Sequence, residues 1–134
     1  LPIMSVVEVK KARAFHESIP QYQVTPLADL KNMAEYLGLA KACVKDESYR
    51  FGLNAFKVLG GSYAIARYIA KETKRDISQM PYSVLTSKEL RDEFGQATFS
   101  LQSDGNHGRG VAWAANKLGQ KAVVSCRREA PRQD

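Results

Sequence analysis

Apolar and polar positions divide this chain into helix-length and strand-length stretches. Ser5 to Ile19 reads as a helix: Val6, Val9, Ala12 or Arg13 and Ile19 loosely follow a helical stripe, and Ser5 with Glu8 makes a capping box. Pro20 ends it, and residues 21–26 read as extended, because a residue before proline is pushed out of the α region. A second helix is expected from Leu27 or Ala28 to Leu37, with Leu27, Leu30, Ala34 and Leu37 on one face and Gly38 as its stop. Lys41 to Lys45 reads as a short strand. Val58 to Lys71 is helical by the spacing of Leu59, Tyr63, Ala66, Tyr68 and Ile69 or Ala70. Glu72 to Tyr82 is a polar connector containing Pro81. Thr86 to Phe94 is a short amphipathic helix with Thr86 or Ser87 as cap and Gly95 as stop. Thr98 to Gln102 is a strand, Val111 to Leu118 a helix ended by Gly119, and Lys121 to Val124 another strand. Strand and helix alternating in this way predict an α/β layered fold with a parallel sheet, whose ligands sit beyond the carboxyl ends of the strands.

The stretch Ser103-Asp104-Gly105-Asn106-His107-Gly108-Arg109-Gly110 lies at such an end. A glycine-rich polar turn entering a helix can offer unpaired backbone N–H groups to an anion, and the helix dipole favours negative charge there. An ordinary turn with an Asp or Asn cap reads the same way from spacing alone. The pair Gly60-Gly61 lies near the start of the Val58 to Lys71 helix, where each glycine costs about 1 kcal/mol relative to Ala. Such a cost implies a close approach to the backbone. Lys57 precedes the pair; it reads either as a solvated surface lysine or as an amine placed for imine chemistry with a carbonyl compound.

Composition narrows the classes. With 134 residues, 44% apolar and 25% charged, the chain can bury one modest core. The net charge of +6 is scattered among acids, without the basic and aromatic stripe of a nucleic-acid surface, so an anionic small molecule fits at least as well. Cys43 and Cys126 are isolated, which argues against a metal site and for a reducing cytoplasm. Neither a membrane-length apolar run nor a secretory pattern is visible, and the start at Leu1 without Met implies missing residues before it.

Two long words then carry a resemblance: Lys45-Asp46-Glu47-Ser48-Tyr49-Arg50-Phe51-Gly52-Leu53-Asn54-Ala55-Phe56-Lys57, and Ser103 through Gly110 continued by Val111-Ala112-Trp113-Ala114-Ala115. With both in hand, the chain resembles the pyridoxal-phosphate enzymes of the tryptophan-synthase-β type, and among them the diaminopropionate ammonia-lyases, from about Ala14 to Val124. The resemblance implies the parallel-sheet layered fold of that group, with residues 1–124 its N-terminal part and site halves at 45–62 and 103–110. It implies pyridoxal 5'-phosphate as cofactor. Lys57 would hold it covalently and move protons at the substrate Cα, and Asn106 would hydrogen-bond the phenolic oxygen of its ring. Ser103, Asp104, Gly105, Asn106 and His107 would bind the substrate carboxylate. Asp104 would be a second base on the face opposite Lys57, so that both D and L isomers of 2,3-diaminopropionate lose their β-amino group and end as pyruvate and ammonia. A cytoplasmic homodimer is implied too. A threonine or serine dehydratase relative and a non-enzymatic nucleic-acid-binding module are the competing readings.

The chain also departs from that group. Its members are longer, and the glycine-rich loop for the cofactor phosphate and the partner of the pyridine nitrogen lie beyond the position of Val124. Residues 125–134 read as a non-homologous polar tail. Codons for Ser125 to Ala130 can be chosen so that another frame gives Met-Pro-Lys-Gly-Ser-Ala, so the expectation is a frameshifted tail on a truncated chain that is itself inactive.

Overall fold

The computed structural model describes residues 5–103 and 105–126. Helix α1, Val6–Glu17, starts where the Ser5 hydroxyl accepts the Glu8 N–H at 3.3 Å. It stops short of the expected Ile19, because the N–H groups of Ser18 and Ile19 turn back to Phe15 and His16 ahead of Pro20.

The expected helix from Leu27 to Leu37 is corrected. Leu27–Asp29 is instead a strand, β1, paired antiparallel with β2, Cys43–Lys45, in the register Leu27↔Lys45 to Asp29↔Cys43. Only Lys31–Tyr36 between them is helical, as α2. Partners beyond α2, in Cys43–Lys45, supply β1 with hydrogen bonds that local spacing does not register. The supposed apolar stripe does not face the core: Leu27 and Leu37 are exposed, and Ala34 alone is buried in α2.

Helix α3, Lys57–Glu72, is the centre of the molecule. Its buried face is Val58, Gly61, Ser62, Ile65, Ala66, Ile69 and Ala70, a three-and-four spacing rotated from the expected stripe. Small residues predominate because α6 packs closely against it; Tyr68 lies at the edge, edge-on to Phe94 and Phe99. The connector after α3 holds a short helix, α4, Tyr82–Leu85. Helix α5, Lys88–Phe94, is capped by the Ser87 hydroxyl and ended by Gly95 at φ 76°, as expected.

Strand β3, Thr98–Gln102, helix α6, Asn106–Lys117, and strand β4, Lys121–Ser125, form a βαβ unit. The two strands are parallel, from Thr98↔Lys121 to Gln102↔Ser125. Helix α6 starts five residues before the expected Val111, so residues 106–110 of the glycine-rich stretch belong to the helix rather than to a loop before it. Phe15, Ile19, Ile65, Ile69, Met80, Leu85, Leu90, Ala114 and Leu118 bring α1, α3, α5, α6 and the connector into one core. Among the described residues no helix is long and apolar enough to cross a membrane, and no cluster of His, Cys, Asp and Glu could hold a metal.

Candidate active site

The approach to Lys57 begins at a buried cation. Arg50 donates from Nε to Glu47 Oε2 at 2.8 Å, from Nη1 to the Gln23 carbonyl at 2.8 Å, and from Nη2 to Glu47 Oε1 at 3.0 Å and Thr25 Oγ1 at 3.2 Å. The Thr25 hydroxyl donates in turn to Glu47, and Lys45 donates to the Thr25 carbonyl. This pairing holds the Glu47 carboxyl below its ordinary range and raises the guanidinium. From that anchor the chain reverses through three left-handed residues, Phe51 (φ 50°), Gly52 (φ 71°) and Asn54 (φ 57°). Gly52 adopts this backbone without a Cβ penalty, whereas a bulky Phe does so only when held. Phe51 is held by its ring, stacked on Trp113 of α6 at 4.7 Å with 28° between the planes. Lys57 then opens α3, exposed, its Nζ 6.0 Å from the centre of the Phe56 ring. No ion pair engages it among the described residues.

The second half of the site is the start of α6. The Ser103 hydroxyl accepts the Gly108 N–H at 3.1 Å, and the Gly105 carbonyl accepts that of Arg109. Gly105, Asn106 and His107 are exposed, and the N–H groups of Asn106 and His107 have no partner among the described residues. The positive end of the helix dipole therefore faces outward, with donors that no described residue engages, as suits an anion site. Asp104 lies outside the described residues, so the second-base assignment has no geometry attached to it.

Glycines bring the halves together. A Cβ on Gly110 would stand 2.9 Å from the backbone N and Cα of Val58 and 3.2 Å from the carbonyl carbon of Lys57. A Cβ on Gly61 would stand 3.1 Å from Val111 Cγ2, and one on Gly108 would stand 2.7 Å from Val124 Cγ1. The first turn of α6 thus rests directly on the backbone that carries Lys57. Gly60 differs, since a Cβ there meets nothing within 4 Å. It borders an open cleft of about 420 Å³, lined also by Gly61, Ala64, Tyr68, Leu101 and His107. An exposed amine, a helix start registered to it with two N–H groups that no described residue engages, and a cleft over Gly60 that His107 also lines suit a ligand bearing a carbonyl and an anionic group.

Sequence reasoning paired Lys57 with the Ser103 to Gly110 stretch but missed what joins them. Gly110 and the Phe51–Trp113 stack carry that joint. The available signal was the lone Trp of the chain, one helical turn after Gly110.

The family model described as "Pyridoxal-phosphate dependent enzyme" matches residues 19–134. A diaminopropionate ammonia-lyase of Salmonella typhimurium is 50% identical over 111 residues, 83% of this chain and 28% of that protein. The crystal structure of the Escherichia coli diaminopropionate ammonia-lyase in complex with D-serine superposes with a TM-score of 0.86 at 44% identity, covering 98% of this chain and 33% of that one. The same enzyme in complex with an aminoacrylate-PLP azomethine reaction intermediate gives 0.78 at 44% identity, over 94% and 30%. The chain therefore spans about a third or less of the length of these relatives.

Proposed function

The chain belongs to the family of pyridoxal-phosphate dependent enzymes, and from that premise we propose that it carries two halves of the site of a diaminopropionate ammonia-lyase. The observation that carries the reading is the rest of Gly110 on the Lys57–Val58 backbone, which joins the lysine to the exposed start of α6. The residues present fit the cofactor: an exposed amine for its aldehyde, a side-chain amide at Asn106, and the open space over Gly60. When bound, pyridoxal phosphate supplies the electron sink that makes the substrate Cα–H acidic.

The residues of this chain then have separate tasks. Lys57 holds the cofactor and afterwards takes the proton from Cα on its own face. Asn106 donates to the ring oxygen, and the N–H groups at the start of α6 hold the substrate carboxylate. Asp104 takes the Cα proton of the opposite isomer. The β-amino group leaves as ammonia, and addition of one water releases pyruvate and the second ammonia. The names of the relatives support the substrate, and the D-serine complex of the Escherichia coli enzyme supports room for a D-configured amino acid. The longer enzyme acts, on this reading, as a cytoplasmic homodimer.

Turnover of D- and L-2,3-diaminopropionate to pyruvate in the full-length holoenzyme tests the proposal. Both isomers should react, and Asp104→Asn should slow the D isomer by about tenfold or more beyond its effect on the L isomer. Equal losses would refute the two-base picture. Turnover of threonine or serine with none of diaminopropionate would refute the substrate.

A further inference from the structure

We propose that Arg50, Phe51 and Trp113 form a positioning brace that sets Lys57 in register with the first turn of α6. The proposal rests on Lys57 being the cofactor lysine, and it concerns what holds that lysine.

The brace reaches both halves of the site and ties them to the segment of Tyr22, Gln23 and Thr25. Arg50 is 4% exposed and makes four hydrogen bonds, to Glu47, the Gln23 carbonyl and Thr25. Its guanidinium also lies 5.2 Å from the ring centre of Tyr22 and 5.8 Å from that of Phe51. Burying a guanidinium is costly, and a buried ion pair adds little stability over apolar packing of the same volume. A planar, fully engaged fork does fix geometry. The next residue, Phe51, stands at φ 50°, an outlier for an aromatic side chain. Such strain persists where its surroundings over-determine it. Here those surroundings are the Arg50 anchor behind it and the Trp113 ring in front of it.

Neither ring belongs to the buried core; both are half-buried and pack against its edge. Their stack spans from the segment that delivers Lys57 to the helix whose first turn holds Asn106 and His107. Gly110 on the Lys57–Val58 backbone and Gly61 against Val111 also join α3 to α6 and seat the helix. The stack ties the reversal ahead of the helix to α6. Without it, α3 stays on α6 while the reversal through Gly52 and Asn54, which delivers Lys57, can swing.

Hydrogen exchange followed by mass spectrometry, on the 134-residue chain, tests the brace. In Phe51→Ala, exchange should quicken about fivefold in residues 52–58 and 105–110 and stay unchanged in α1 and α5. Phe51→Tyr keeps the ring and should keep the wild-type rates. Unchanged rates in both segments would overturn the proposal. So would an equal rise everywhere, because that is the signature of a merely structural residue. If Phe51→Ala does not fold, Trp113→Leu makes the same cut from the helix side and is read in the same way; failure of both to fold would also overturn it. The functional arm is the yield of borohydride-reduced pyridoxal phosphate on Lys57 of the full-length enzyme, which should fall about fivefold in Phe51→Ala and recover in Phe51→Tyr. A wild-type full-length enzyme whose Lys57 takes no pyridoxal phosphate would sink the lysine assignment, while the exchange pattern would still decide the brace.

Discussion

Gly60 and Gly61 are chain neighbours with opposite surroundings. Gly61 faces Val111 closely enough that a methyl group would press on it, whereas Gly60 faces open space. In the sequence the pair signals only that something approaches the backbone. The approach at Gly61 is made by α6, a partner some fifty residues on, and no local pattern separates the two positions. Gly60→Ala should therefore stabilise the chain by about 1 kcal/mol, by removing a helical glycine. Gly110→Ala should destabilise it by about 1–3 kcal/mol, since backbone atoms of Val58 cannot turn aside as a side chain can. Urea unfolding of the two variants measures both. If a ligand enters over Gly60, the same Ala that stabilises the chain should weaken pyridoxal phosphate retention, which equilibrium dialysis reads.

Among the elements, those set by capping and periodicity were legible and those set by distant pairing were not. Ser5, Ser87 and Gly95 mark their helix ends correctly. The β1 strand was hidden because its partner lies beyond α2, and the early start of α6 because glycines weaken a helical pattern. One contact between elements has a pH consequence. His16 of α1 hydrogen-bonds the Leu59 carbonyl in the first turn of α3 at 2.8 Å, joining the N-terminal helix to the one that opens with Lys57. Burial pushes its pKa below the ordinary 6.5, partly opposed by the Leu59 carbonyl and reinforced by the charge of Arg50. With the folded pKa depressed, the unfolded chain binds the proton more tightly. The contribution to stability is full above about pH 6.5 and is lost as the pH falls from there through the folded value. The thermal midpoint should drop between pH 7.5 and 5.5, and His16→Asn should flatten that slope. An unchanged slope in the variant would assign the pH dependence elsewhere.

Over the whole molecule, the alternation of strands and helices in the second half was enough to reveal a parallel unit with its turn at the carboxyl end of β3. The family likeness rested on the two words around Lys57 and Asn106, and the fold brings those words into contact through Gly110 and Trp113. The rotation of α3 was not legible, because a face of Gly, Ser and Ala becomes a buried face only once α6 lies against it. The central claim is that Lys57 is the cofactor lysine of this joined site. Incubation of the full-length enzyme with pyridoxal phosphate, borohydride reduction and peptide mass spectrometry test it directly. The account predicts that the adduct concentrates on Lys57 and disappears in Lys57→Ala, with the other lysines only sparsely modified. An adduct concentrated on another lysine, or spread evenly over the exposed ones, would contradict it.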